Sequence, residues 1–276
     1  MASRLVSYVT TALLLSVASP AFATWSVIAV DQKTREVVIA SATCVPQGAF
    51  AGFPAKGLMD VQAIVVPGKG VAAAQAGVDR TRKNQQLIFD EIVKGTEPAK
   101  IIELLKADPA MESRQFAIVD LQGRTAGFSG QKNLAASLSQ QRQVPGTGIF
   151  FSIQGNILAG DEVVTAAMTA FETATGSLAD RVMAAMEEAD ARGGDKRCTC
   201  ATPPQPAATA ACESKTSHVA YILRADPTDT NGAAFNDGTY AMYVAVTNDD
   251  IQPAENANPV KTLRLRYEAW KKAHAR

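Results

Sequence analysis

Thr24 follows the tripeptide Ala21-Phe22-Ala23, a small-x-small pattern of the kind that signal peptidases cut. A threonine exposed in this way carries a hydroxyl and a free α-amine on one residue. The amine has a pKa of about 7.7–8.0, so it can take the hydroxyl proton, directly or through a water, while Oγ1 attacks a carbonyl. The chemistry this predicts is hydrolysis of a small amide or peptide through an acyl-enzyme. Histidine-based devices have little to work with. The chain holds only His218 and His274; His274 is the third residue from the end, and His218 reads as a solvated residue at the edge of a strand. G-x-S-x-G, P-loop and H-E-x-x-H motifs are absent from the sequence.

The segment ahead of Thr24 reads as an export signal, residues 1–23. Arg4 supplies a basic start, Leu13, Leu14, Leu15 and Val17 an apolar stretch, and Pro20 a break before the cut. That stretch is shorter than the ~20 apolar residues a membrane helix needs, so no membrane span is expected after processing. A cut after Ala18 is the weaker alternative, since it leaves Pro20 at the second position. The expectation is an exported protein, periplasmic or extracellular, whose residues 24–276 form one domain. Lys and Arg together number 27, as do Asp and Glu, giving no net charge, and no basic cluster interleaves with aromatics. Nucleic acid is therefore a poor partner. Self-association is left open.

Cys44 stands far upstream of Cys198, Cys200 and Cys212. Export favours disulfides over free thiols, and with no C-x-x-C pair and two histidines a zinc site is not expected. No other metal or cofactor is implied. One intervening residue makes a Cys198–Cys200 bond strained. Both remaining connectivities tie Cys44 to Cys198 or Cys200.

Which elements would position Thr24? Trp25–Asp31 and Arg35–Thr43 are β-rich runs around the turn Gln32-Lys33-Thr34, a hairpin signal. A turn centred near Lys33 sets Thr24 beside Ala42 and Thr43, with Ser41 and the loop Cys44–Gly48 close by. Ser41 and Thr43 thereby become candidate catalytic hydroxyls, whereas Lys33 is too distant. Further strands are expected at Leu58–Val66, Gly70–Val78, Arg114–Asp120, Arg124–Ser129, Ile149–Gln154, His218–Arg224 and Thr239–Thr247. Helices are expected at Thr81–Lys94, after Thr96 as cap, at Asp161–Ala174, Leu178–Arg192 with a Ser177/Asp180 capping box, and Val260–Ala273. Residues 198–216, rich in Pro, Ala, Thr and Cys, read as a surface insertion. The order lacks regular strand–helix alternation. It suits an α+β fold of two packed antiparallel sheets with a helical layer outside each.

Several segments together resemble a known family. These are Thr24–Asp31, Glu36–Ser41, Cys44-Val45-Pro46, Gln75-Ala76, Arg114-Gln115, Val119-Asp120, Gln154–Gly160 and Gly193–Arg197. In this order they are similar to the domain of unknown function 1028 family, assigned by similarity to the N-terminal-nucleophile (Ntn) hydrolase superfamily. The resemblance implies a four-layer αββα sandwich with a hydroxyl nucleophile at the start of the mature chain, carried onto Thr24. It departs from the family at Cys198–Ser217, where relatives run straight into a strand, and at Asp79, where they tend to have an uncharged residue. Among the supporting candidates, Asn156 could donate its amide to an oxyanion, or serve as a left-handed turn residue. Asp195 and Arg197 could orient the terminus or bind a substrate carboxylate, and Gln75 is a candidate for substrate binding. The second function the sequence allows is a non-catalytic exported module that keeps the Ntn fold for binding or assembly.

Overall fold

The turn over Lys33 closes as its residue types suggest. Asp31 Oδ1 accepts the Lys33 N–H at 2.8 Å, and Thr24–Asp31 (β1) pairs antiparallel with Val37–Thr43 (β2), Thr24 opposite Thr43 and Trp25 opposite Ala42. The structure is a computed structural model that describes residues 24–52, 56–205 and 212–275; the expected export signal at 1–23 lies outside them. Leu58–Val66 is not one strand but a short helix, Leu58–Gln62 (α1), followed by Ala63–Val66 (β3). Local bonds favour the helical turn: Asp60 accepts the Lys56 N–H at 2.7 Å and the Gly57 carbonyl accepts the Val61 N–H. A short apolar run cannot by periodicity alone distinguish the two states.

Gly70–Ala76 (β4) leads through a loop to Lys83–Lys94 (α2) and Pro98–Leu105 (α3). Asp79 accepts backbone N–H bonds from Thr81 and Asn84 at 2.9 and 3.0 Å, fixing the entry to α2. Burial alone would raise its carboxyl pKa, but these bonds and that of the Thr81 hydroxyl hold it below the usual value. The N-cap position of α3 is Glu97 rather than Thr96, and its side chain makes no capping bond; the Thr96 hydroxyl donates to Glu91 at 2.6 Å. Arg114–Asp120 (β5) and Thr125–Ser129 (β6) follow. Leu138–Gln143 (β7), almost wholly polar, falls where the sequence suggests only a connection, and pairs with Ile149–Asn156 (β8). Next come Glu162–Thr173 (α4) and Leu178–Ala191 (α5), the latter with the expected Ser177/Asp180 capping box. Val219–Ala225 (β9), Met242–Thr247 (β10) and Pro259–Ala273 (α6) complete the described elements.

Two antiparallel sheets result, six strands in the order β10-β9-β2-β1-β8-β7 and four in the order β3-β4-β5-β6. This is the α+β sandwich expected. Trp25, Val27 and Ala29 of β1 pack outward against α4 and α5, with α6 joining the same side. On the opposite outer face α2 and α3 cover Ile64, Ala72 and Ile118. Gly194 turns the chain after α5 at φ +44, where an added Cβ would lie 2.7 Å from the Trp25 ring. Only a residue without a side chain fits both the angle and the space.

The layer between the sheets changes character along its length. Side chains alternate faces on a strand, so Ile28, Val30, Val37, Ile39, Val71, Ala73, Ala117 and Val119 fill one end with apolar groups. Moving along the same strands, the inward positions become Ser26 and Thr24, Ser41 and Thr43, Gln75, and Gln115, all buried. On β1 and β2 the switch falls at the Ser26–Ser41 pair, and on β4 and β5 at the Gln75–Gln115 pair. Buried polar groups cost free energy unless hydrogen-bonded, so this tier must satisfy itself, and it marks where chemistry can sit.

Candidate functional site

Thr24 lies in the middle of the larger sheet, between Thr43 on β2 and Asn156 on β8, its register partners on either side. All three are buried. The Thr24 hydroxyl donates to Thr43 Oγ1 at 3.3 Å, and the Val45 N–H donates to the same oxygen at 3.2 Å. Thr43 therefore fixes both the candidate nucleophile and the start of the following loop. Ser41 lies one step further in; its hydroxyl donates to the Trp25 carbonyl at 2.6 Å, which tightens the hairpin.

The opposite sheet reaches this strand through glutamines. Gln75 Nε2 donates to the Thr24 carbonyl at 2.9 Å and to Gln115 Oε1 at 2.7 Å. Its Oε1 accepts from Ser26 Oγ and from Gln62 Nε2, each at 2.7 Å. An amide offers two donors and two acceptor sites, so the hydrogen-bonding capacity of Gln75 is filled within the protein. Gln115 continues the chain to the Gly155 carbonyl at 2.9 Å, and Tyr221 donates to Gln62 Oε1 at 3.1 Å. Burial raises the Tyr221 phenol well above its ordinary pKa, with Tyr243 adding to the effect, so it stays a neutral donor. The sequence offers one signal for these partners. Each of Gln75 and Gln115 falls two residues from an apolar inward position on its strand.

Two strands end here in unfavourable backbone. Ala76, after Gln75, has φ 68, and Ile157, after Asn156, has φ 54. Residues with side chains rarely adopt this region, at a cost of about 1–3 kcal/mol each, and such strain gathers at functional sites. The left-handed residue of the Gly155-Asn156 turn is thus Ile157.

Asp195 is fully buried. Its Oδ2 accepts the Cys44 N–H at 2.9 Å, while Arg197 holds both oxygens, Nε to Oδ1 at 3.0 Å and Nη2 to Oδ2 at 2.8 Å. The pair clamps the residue that follows Thr43, reaching Thr24 through the backbone. Cys44 is bonded to Cys198, and Cys200 to Cys212, one of the two arrangements the sequence leaves open.

His218 is not solvated: it is 1% exposed, packed where the insertion meets β9, with its backbone N–H donating to the Thr43 carbonyl at 2.7 Å. Burial pushes the imidazole down to about 4, helped by the charges of Lys215 and Arg197 against a favourable Pro203 carbonyl. Its ring lies within 4.8 Å of the Cys44 and Cys198 sulfurs. Both sulfurs are joined to each other, so the oxidised protein presents no thiolate ligand there.

A very small pocket of about 10 Å³, partly open to solvent, adjoins Thr24. Phe50, Leu58, Val61, Ala74, Ala76 and Val78 form its walls, with Gln62 and Gln75 beside Thr24. Among the described residues, none that lines it is charged.

These features define a class: an α+β sandwich whose central strand begins with a buried threonine at the polar end of the inter-sheet layer. The profile of a family of unknown function, DUF1028, matches residues 24–233, and the chain belongs to that family. The crystal structure of protein SPO2555 from Silicibacter pomeroyi, carrying the same family match, superposes with a TM-score of 0.62 at 20% identity, covering 90% of this chain and 89% of that one. That likeness concerns the fold. Among curated proteins none matches this sequence.

Proposed function

We propose that this protein is an exported amidohydrolase of the N-terminal-nucleophile type, cleaving a small amide or peptide through an acyl-enzyme on Thr24. The observation that carries the reading is the place of Thr24. It opens the central strand at the buried polar end of the sandwich, with Thr43 and Asn156 on either side. The family match also begins at this residue. Removal of residues 1–23 would free the α-amine on the same residue as the hydroxyl. Oγ1 then attacks the substrate carbonyl, and the amine takes the hydroxyl proton and returns it to the leaving amine. The Asn156 amide is the candidate donor to the oxyanion. Water attacks the resulting ester by the same route in reverse. The two disulfides suit an oxidising compartment, and no helix among the described residues is long and apolar enough to cross a membrane.

The test is the intact mass of protein beginning at Thr24, before and after a β-lactone. A single adduct mapped to Thr24, lost in Thr24→Ala and in protein retaining one residue ahead of Thr24, is the expected result. No adduct on the wild-type protein, or equal labelling of the extended form, would favour a binding or assembly module that keeps the fold.

A further inference from the structure

We infer that Cys44, Cys198 and His218 form a metal site once the disulfide between the two cysteines is reduced, taking a thiophilic divalent cation of the zinc type. Their ligand atoms, two sulfurs and an imidazole nitrogen, all lie within 4.8 Å of one another. A tetrahedral ion with sulfur at about 2.3 Å and nitrogen at about 2.1 Å spaces its ligands about 3.6–3.8 Å apart. The sulfurs reach this spacing by moving apart when their bond breaks, and the imidazole by closing in by at most about 1.2 Å. Two thiolates and one imidazole suit a zinc-type ion and leave its fourth position to a water.

The three residues are anchored independently of the disulfide. Asp195 Oδ2 accepts the Cys44 backbone N–H at 2.9 Å. The Asp195 carbonyl accepts the Cys198 N–H at 3.1 Å, and the Thr43 carbonyl accepts the His218 N–H at 2.7 Å. Behind them β2 pairs with β9, Thr43 opposite Val219. None of these bonds involves sulfur, so the ligands stay together when the bridge opens. Reduction by a dithiol breaks the Sγ–Sγ bond, leaves a thiol on each cysteine and converts the dithiol to a disulfide. Binding the cation then releases the two thiol protons to solvent. Asp195 is no ligand, because Arg197 and the Cys44 N–H occupy both its carboxylate oxygens.

His218 supplies the second observation. It is buried, yet neither ring nitrogen makes a hydrogen bond among the described residues, and the nearby Pro203 carbonyl completes none. Buried polar atoms without a partner are rare and costly. A neutral imidazole keeps one ring lone pair, and here no hydrogen bond occupies it. The same residues thus offer two alternative locks on the loop that follows Thr43: a disulfide when oxidised and a bound cation when reduced.

The test uses protein beginning at Thr24 and carrying Cys200→Ser and Cys212→Ser, so that Cys44 and Cys198 are its only cysteines. It is reduced with a phosphine without oxygen, titrated with Co²⁺ and followed by absorption. The expected result is one Co²⁺ per chain, with a thiolate-to-cobalt charge-transfer band and the d–d bands of a tetrahedral ion, all displaced by Zn²⁺. The oxidised protein should show neither set of bands. His218→Gln in the same background should bind Co²⁺ at least about a hundredfold more weakly, since loss even of an outer partner costs about 10–100-fold. Zn²⁺ should raise the urea midpoint of the reduced protein. Reduced protein that is folded by near-ultraviolet circular dichroism but binds no Co²⁺ would overturn the site. So would unchanged affinity in His218→Gln, or equal binding by the oxidised form. Should reduction unfold the chain, Zn²⁺ must restore the native spectrum, and its failure to do so would overturn the site as well.

Discussion

The Gln75 side chain on the four-stranded sheet donates to the carbonyl of Thr24 on the six-stranded sheet at 2.9 Å. One amide thus sets the distance between the sheets at the level where the candidate nucleophile sits. Replacing it with an isosteric apolar residue leaves the Thr24 carbonyl, Ser26, Gln62 and Gln115 each short of a partner. Unmet buried groups cost about 1–3 kcal/mol each. Gln75→Leu should accordingly lower the unfolding free energy by about 3 kcal/mol or more in urea titrations. A loss under about 1 kcal/mol would show that the network contributes little.

Thr24→Ser keeps hydroxyl and amine, losing only the methyl that restricts χ1, and should retain activity within roughly tenfold of wild type. Thr24→Ala removes the attacking oxygen and should lower kcat by about a thousandfold or more. The rate should rise with pH through the α-amine pKa, because only the neutral amine accepts a proton. A profile flat from pH 5 to 9 would exclude the amine as base.

His218 gives the fold an acid sensitivity. Its folded pKa of about 4 lies below the ordinary imidazole value of 6.5, so the unfolded chain takes up a proton first as pH falls. Stability is therefore lost between about pH 6.5 and 4, and no further below. Comparing wild type with His218→Gln by urea unfolding at pH 7 and 4.5 isolates this residue, since carboxylate effects are common to both. The wild type should lose up to about 3 kcal/mol more.

The two disulfides should contribute unequally. Cys44–Cys198 spans 154 residues and Cys200–Cys212 spans 12; loop-closure entropy assigns them about 5 and about 3 kcal/mol. Paired Cys→Ser replacements at 44 and 198 should lower the urea midpoint more than those at 200 and 212. Equal midpoints would mean that the longer tether does not restrain the unfolded chain.

Much of this was legible in the sequence, for identifiable reasons. The β1–β2 register follows, to within one residue, from a polar turn centred near Lys33, and the Ser177/Asp180 box from the reciprocal bonds those residue types make. β7 escaped because Leu138-Ser-Gln-Gln-Arg-Gln143 shows no apolar alternation: as the edge of its sheet, it does not need one. Nothing along the chain marks Gln62, Gln115 and Tyr221 as site residues, since an amide or phenol has no distinctive spacing and matters here only through the meeting of two sheets. The burial of His218 depends on the insertion folding over it, which pattern along the chain does not reveal.

The Cys44–Cys198 bond also bears on how the fold is reached. β2 ends at Thr43 and pairs with β9 from Val219 onward, partners remote along the backbone. Once the bond forms, Thr43 adjoins a junction from which the chain runs from Cys198 to Cys200, across to Cys212, and on to Val219. A pairing that would otherwise wait for a distant encounter becomes a nearly local one, and local pairings form faster. Oxidised chains should therefore assemble the centre of the six-stranded sheet early, with the four-stranded sheet, carried entirely within the covalent ring, docking onto it afterwards.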